Sequence, residues 1–281
     1  MSLLPDYLRV SPSDLGNGTN VKVIVKHDMA AIGQAMADDM FEEILRARKE
    51  GRNATLIVPV GPVEGFPVLA EKLRREKISM REVVLINMDE YLARDGGWVP
   101  LAHPLSFRAF MNRSFYGLLD PPLSPRPENR VFPDPKNPGA IQNLIDARGG
   151  VDACFGGIGI NGHLAFNEPP EPGETINDQA FARLPTRTLA LSRETRTINS
   201  VTVGGEITLI PQQAVTVGMK EILEARRLRL YCNRPWQSAV VRRALHGPVT
   251  AACPASFMRT HPDAQLTVAE YVAAPPQIKL A

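Results

Sequence analysis

The sequence is poor in cysteine, with three in 281 residues. Cys154, Cys232 and Cys253 are odd in number, far apart and set in apolar runs. That pattern excludes a disulfide framework and zinc-ligand spacing, and points to buried thiols in a reducing compartment. Long apolar runs are also missing: no stretch reaches the ~18 residues a membrane-spanning helix needs, so no membrane partner is expected. The opening MSLLPDYLRVSPSD lacks the apolar core of a signal peptide. Cytoplasmic localisation is the expectation. An excess of charge of one sign is missing as well. The net charge is +2 with no basic block, which excludes nucleic acid as an expected partner. Neither internal repeats nor low-complexity segments occur. The remaining composition is that of an ordinary globular protein, long enough for one large α/β domain or two small ones.

Apolar runs and helical periodicities alternate along the chain. Residues 1–20 read as an irregular extension packing on the body. A first strand is expected over Val21–Val25, then a helix capped by Asp28 and running to about Lys49. Ala54–Val60 reads as a buried strand, and Gly61-Pro62 turns the chain into a helix over about Glu64–Lys77. Val83–Asn87 is a third strand, delivering Met88-Asp89-Glu90-Tyr91 at its end. His103–Ser106 should open a helix to about Leu118, and another lies near 139–148. Further strands are expected at Val151–Phe155, Arg187–Leu191, Leu228–Cys232 and Gln265–Val268, with helices at Thr216–Leu223 and Trp236–Leu245. The stretch from Pro169 to Arg183 reads as irregular. This alternation implies an open, largely parallel sheet covered on both faces, with ligands beyond the carboxyl ends of its strands. Gly61, Asp89 and the 156–168 loop each follow a strand, so they can converge on one cleft.

The stretch VDACFGGIGINGHLAFNEP (151–169) carries the densest chemistry. Gly157–Gly162 matches G-x-G-x-x-G, the dinucleotide fingerprint, which requires a helix directly after it. Here Pro169, Pro170 and Pro172 deny the chain a regular helix of any length, so no nicotinamide or flavin site is expected. Gly159 and Gly162 instead allow tight turns and close approach of a ligand. A glycine-rich loop holding a structurally satisfied histidine is the plain alternative.

Asp89 can be a loop carboxylate or helix cap, or a general base that takes a proton α to a carbonyl. His163 has an ordinary pKa near neutrality and can shuttle a proton as a cyclic sugar opens. Glu168 can fix its tautomer and stabilise its imidazolium. Asn161 can orient a partner by hydrogen bonding but cannot accept a proton. A carboxylate base beside a histidine-centred ring opener is coherent for aldose–ketose chemistry.

Five segments resemble the glucosamine-6-phosphate deaminase family in order and near-family spacing. They are INMDEYL (86–92), HPLSFRAFM (103–111), GGIGINGHLAFNEP (156–169), AVTVG (214–218) and CPASFMRTHPD (253–263), and the resemblance spans Val21 to Val272. It implies a Rossmann-like three-layer α/β/α sandwich with a mostly parallel sheet, and one sugar isomerase/deaminase-like domain over 21–281 after the 1–20 extension. It further implies a small-molecule sugar substrate, and neither organic cofactor nor metal. Asp89 then matches the base that moves a proton between C2 and C1, and His163 with Glu168 matches the ring-opening pair. The position of Asn161 is aspartate in many members and asparagine in others. Relatives range from monomers to hexamers, leaving homo-oligomer formation open.

The resemblance fails at one place. Family members hold the substrate phosphate with a hydroxyl-bearing, glycine-containing loop at a helix N-terminus, an arginine and a lysine. Here the loop is Val60-Gly61-Pro62-Val63-Glu64, Val201 stands where the arginine follows Asn-Ser, and Gln237 stands at the lysine position. Gly61, Pro62, Val63, Glu64, Gly159, Gly162, Val201 and Gln237 are therefore the expected substrate-binding set, and the expected substrate is an amino sugar or related sugar without the usual 6-phosphate. The alternatives are the family's own reaction, with phosphate held by Arg193, Arg196 or Arg234, a non-catalytic sugar-binding protein, and a lactonase using His163 to activate water.

Overall fold

The computed structural model describes residues 4–278; the extreme ends of the expected extension and domain, 1–3 and 279–281, lie outside the described residues. In chain order the strands are β1 (Lys22–Lys26), β2 (Thr55–Val58), β3 (Val84–Asn87), β4 (Asp89–Leu92), β5 (Arg130–Val131), β6 (Ala153–Gly156), β7 (Arg187–Ala190), β8 (Gln213–Thr216), β9 (Leu228–Cys232) and β10 (Ala264–Ala269). The helices are α1 (Met29–Lys49), α2 (Gly65–Arg75), α3 (Phe107–Ser114), α4 (Ala140–Ala147), α5 (Asp178–Ala182), α6 (Arg193–Ser200), α7 (Met219–Leu223), α8 (Gln237–His246) and α9 (Glu270–Ala273). Among the described residues no helix is long and apolar enough to cross a membrane.

Seven strands form a parallel sheet in the order β1-β10-β9-β6-β2-β3-β5, flanked by helices in a three-layer α/β arrangement. Its central strands TLIV and VLIN are buried along their whole length, as continuous β-branched and leucine runs require when helices cover both faces. Each such side chain removed from water contributes about 1.5–3 kcal/mol. β2 and β6 are neighbours, yet the chain leaving β2 goes on to β3 and the chain leaving β6 goes back to β9. A crevice opens at such a reversal, beyond the carboxyl ends of the strands.

Local signals place the helices that line this crevice. Asp28 caps α1 by accepting from the Ala31 amide at 2.9 Å, and Ile32, Met36, Met40, Phe41 and Ile44 recur on its buried face. α1 and α2 meet through Gly33 and Gly65. A Cβ on Gly33 would lie 2.9 Å from Glu64 Cβ, and one on Gly65 would lie 3.0 Å from the Gly33 carbonyl. That close approach fixes where Glu64 starts α2.

The extension packs through two short 3-10 turns with Leu15 buried. The fully buried Arg242 donates to the Val10 carbonyl at 2.9 Å, and the Gly16 amide donates to His246 Nε2 at 3.2 Å. All three cysteines are free and buried, as expected; burial pushes the Cys232 thiol up to about 12.

A second, three-stranded antiparallel sheet in the order β4-β8-β7 is absent from the sequence reading. The helix expected over Thr216–Leu223 is corrected by it: Gln213–Thr216 is β8, and helix begins only at Met219. α6 was also not foreseen, although Ser192 caps it by accepting from the Thr195 amide at 3.2 Å. The helix expected to reach Leu118 ends at Ser114, and the irregular 169–183 stretch contains α5, capped by Asn177. The strand at 213–216 has a clear cause. β4 finds its partner more than 120 residues away, and pairing over that distance overrides the local pattern.

Candidate active site

The loop leaving β6 runs beneath the loop leaving β2: a Cβ on Gly157 would lie 3.1 Å from Pro62 Cδ and 3.3 Å from the Gly61 carbonyl. Two residues on, the imidazole of His163 lies across the backbone of Gly159, and a Cβ there would fall within the ring. The Gly159 amide donates to the His163 carbonyl at 3.0 Å, closing the turn. Gly162 has φ +94°, and a Cβ on it would meet Cys253 Sγ at 2.8 Å. Both glycines are thus required by close approach of protein to protein. Ala165, at φ +51°, adopts a left-handed conformation that costs about 1–2 kcal/mol. It reverses the chain between His163 and Phe166, with Leu164 and Asn167 bridging the turn. No helix follows the glycines, so the dinucleotide fingerprint is not realised.

His163, Asn161 and Glu168 meet as expected. His163 Nδ1 lies 2.9 Å from Asn161 Oδ1 and 3.4 Å from Glu168 Oε2. The Asn161 amide donates to Glu168 Oε2 at 2.7 Å and to Ser192 Oγ at 3.2 Å, so its oxygen is the atom turned to the ring. Both of these atoms are acceptors, and Thr195 Oγ1, 3.2 Å from Nδ1, gives its own proton to Glu168, which assigns the ring proton to Nδ1 and leaves Nε2 with its lone pair free. The carboxylate also accepts from Thr195 Oγ1 at 3.0 Å and the Ser192 amide at 3.3 Å. Burial opposes ionisation of Glu168, but the hydrogen bond of His163 and the charge its ring carries when protonated, with the Asn161 and Thr195 donors, outweigh it and bring the carboxyl down to about 2.

Asp89 stands where the chain leaves the parallel sheet. Met88 bonds through its amide to Val58 and through its carbonyl to Val217, after which β4 pairs with β8 and Asp89 faces Thr216. Thr216 Oγ1 accepts from the Phe166 amide at 3.0 Å, tying the His163 loop to the residue opposite Asp89. Rings reinforce the tie: Tyr91, Phe107 and Phe166 pack at 4.8–6.2 Å, and Phe166 is 6.0 Å from the His163 ring. Asp89 is only 6% exposed, and burial, then the adjacent Glu90 carboxylate, pushes it up to about 8. Glu90 itself is fully buried. It accepts from Ser106 Oγ and the Phe107 and Arg108 amides, each at 3.0 Å, which anchors the first turn of α3.

Sequence reasoning missed three of these groups. Thr195 and Ser192 sit on α6 and at its cap, and the Ser-Arg-Glu-Thr run was the available signal. Glu90 stands beside the more conspicuous Asp89, and the signal for it is a buried strand end followed by Ser106 at a helix start, where such a brace belongs.

Gly61, Pro62, Val63 and Glu64 line the entry to α2. Glu64 Oε2 accepts from the Val63 amide at 3.0 Å and from Asn233 Nδ2 at 2.9 Å, while Oε1 pairs with Arg234 Nη2 at 3.1 Å. Both ends of the buried Gln237 amide are taken, by the Ile158 carbonyl and the Arg234 amide, each at 2.8 Å. The structure thus brings Gln237 to the glycine-rich 156–168 loop through Ile158. Val201 begins a 3-10 turn after α6 and is 70% exposed. Of the arginines weighed as substitutes, Arg234 is paired with Glu64, Arg193 is exposed, and Arg196 has a buried Nε without a hydrogen-bond partner. Among the described residues no cluster of three or more His, Cys, Asp or Glu is placed to hold a metal ion.

No family model matches the chain. It is 30% identical over 258 residues to a glucosamine-6-phosphate deaminase of Cellvibrio japonicus, covering 90% of each chain. It is 30% identical over 265 residues to that of Streptomyces coelicolor, covering 93% of this chain and 94% of the relative. Among solved structures, a monomeric glucosamine-6-phosphate deaminase superimposes with a TM-score of 0.76 over 90% of this chain and 99% of its own, at 24% identity. A putative 6-phosphogluconolactonase from Neisseria gonorrhoeae gives 0.60 over 89% and 100%, at 17% identity, and shares the fold. With such identity to the two curated relatives along nearly its whole length, the chain belongs to the glucosamine-6-phosphate deaminase family.

Proposed function

We propose that this protein is a sugar isomerase/deaminase whose substrate is an amino sugar, or a closely related sugar, without the 6-phosphate. Ring opening falls to His163. Its Nε2 takes the proton of the anomeric hydroxyl and returns it to the ring oxygen as the C1–O5 bond breaks. Glu168, ionised at any physiological pH, stabilises the passing imidazolium, and Asn161 holds the tautomer. Asp89 then takes the proton from C2 of the open aldehyde and delivers it to C1. O1 gains a proton as the enolamine forms and the nitrogen at C2 loses one as C1 is protonated, leaving a C1 hydroxymethyl group and a C2 imine, which water hydrolyses to a ketose and ammonia. A carboxyl raised to about 8 suits this step, because a base poised near the working pH is strong enough to take a carbon-bound proton while remaining partly ionised.

The observation that carries the substrate half is Glu64. Its carboxylate lies at the entry to α2, already bonded to the loop amide of Val63, where the family places a phosphate. A dianion there would have to compete with the Glu64 carboxylate for Arg234, with Gln237 committed to backbone and Val201 uncharged. Each lost charge-assisted bond costs roughly 1.5–3 kcal/mol. The test is ammonia release and aldose–ketose conversion over free hexosamines and their 6-phosphates. Faster turnover of glucosamine 6-phosphate than of glucosamine would defeat the proposal.

One observation favours the second reading, in which the phosphate ester is the substrate: Arg196 Nε is buried and unpaired one residue from Thr195. Arg196→Gln separates the two. It abolishes turnover of a phosphate ester held by that arginine, and leaves an unphosphorylated substrate served as before.

A further inference from the structure

The loops of β2 and β9 are joined across β6. In the sheet β6 lies between those two strands, so the bonds from Asn233 and Arg234 to Glu64 span two strand spacings, about 10 Å, over the root of the catalytic loop. Gln237 holds the backbone of Arg234 to that same loop through Ile158. The pair is therefore built into the crevice and stays reachable: the Glu64 side chain is 21% exposed and that of Arg234 46%.

Resting on the reading above, we infer that Glu64 and Arg234 form a specificity site for an uncharged primary alcohol, the free 6-hydroxyl of a hexosamine. The remaining bonding capacity selects this group. Glu64 Oε2 already serves two donors, but Oε1 serves Arg234 alone and keeps a lone pair. Among the described residues Arg234 Nη1 donates only to the Met29 sulfur at 3.3 Å, a weak acceptor, and keeps a strong donor. The site thus offers one acceptor and one donor side by side with no net charge. A hydroxyl satisfies both, donating to Glu64 Oε1 and accepting from Arg234 Nη1. A phosphate or carboxylate pairs with Arg234 but is repelled by Glu64, and an ammonium has the opposite conflict. A methyl group satisfies neither and displaces their water.

The test measures kcat/KM for ammonia release by the full chain on glucosamine, galactosamine and mannosamine, each with its 6-deoxy and 6-phosphate counterpart. The inference expects the free sugar to exceed its 6-deoxy analogue by about 10- to 100-fold, with the phosphate ester last. Glu64→Gln keeps the size and removes the charge. It should narrow the hydroxyl-to-deoxy ratio several-fold and raise the phosphate ester relative to the free sugar by about tenfold. Arg234→Gln, at a half-exposed position, should narrow the same ratio and supplies the readout should Glu64→Gln fail to fold. Equal turnover of free and deoxy sugars, both above the phosphate ester, would overturn hydroxyl selection and leave the unphosphorylated-substrate reading standing. Preference for the phosphate ester would overturn both. Silence on every sugar would overturn the inference with the activity it serves.

Discussion

The two ends of the crevice are built from the same fold but on opposite plans. At the reacting end, after β3 and β6, one ionised group meets only neutral partners and a histidine: Glu168 gathers Asn161, Thr195, Ser192 and His163 around itself. At the tail end, after β2 and β9, two opposite charges cancel each other in a partly open setting. The first arrangement holds a directed charge beside an imidazole. The second discards net charge and keeps paired bonding capacity. Loops from different strands supply the two ends, so one can be rewritten while the other is retained, and a change of substrate does not require a change of chemistry.

Asp89→Asn should separate the ends most sharply. The amide is isosteric but cannot take a proton, and kcat/KM should fall by about 10²–10⁴ while sugar binding, read by titration calorimetry, is kept. If activity survives, Asp89 is a structural carboxylate.

Glu168→Gln should cost about 10- to 100-fold in kcat through loss of the imidazolium's partner. It has a second signature in stability. The folded carboxyl lies at about 2, below its ordinary 4.5, so its stabilisation is complete above about pH 5 and is lost as pH falls towards 2. In the native protein that loss is about 3 kcal/mol, read as a falling urea midpoint, and the variant should be flatter over the same window.

The pH profile tests Asp89 without mutation. Only the ionised base acts, so kcat/KM should drop about tenfold per unit below a midpoint near 8 and level off above it. A flat profile between pH 6 and 8 would remove Asp89 from the rate-determining step. The smallest effect is expected for Thr195→Val, which deletes one neutral hydroxyl from Glu168 and should reduce kcat about 2- to 10-fold.

Much of the reacting end was legible in the sequence. VVLIN announces a buried strand that must deliver Asp89 at its end, and Asp28 and Ser106 mark helix starts before any contact is known. Gly159, Asn161, His163 and Glu168 lie within ten residues of one another, so proximity along the chain already implied proximity in space. Thr195 did not carry that assurance. It reaches Glu168 only because α6 packs back on the loop, and its own segment RETRTINS has few apolar residues to betray a helix. The same holds for β8, where AVTV reads equally as helix or strand until β4 and β7 bracket it.

Much of the alternation of strands and helices, the candidate proton-handling side chains and the altered residue types of the 60–64 loop could be read from the sequence alone. These are local properties, written in periodicity, caps and residue chemistry. Tertiary structure decided what replaces them. Glu64 and Arg234 are 170 positions apart, and nothing in either neighbourhood requires them to pair. They meet because the parallel sheet sets β9, β6 and β2 side by side, so that the loops leaving these strands adjoin at its carboxyl edge.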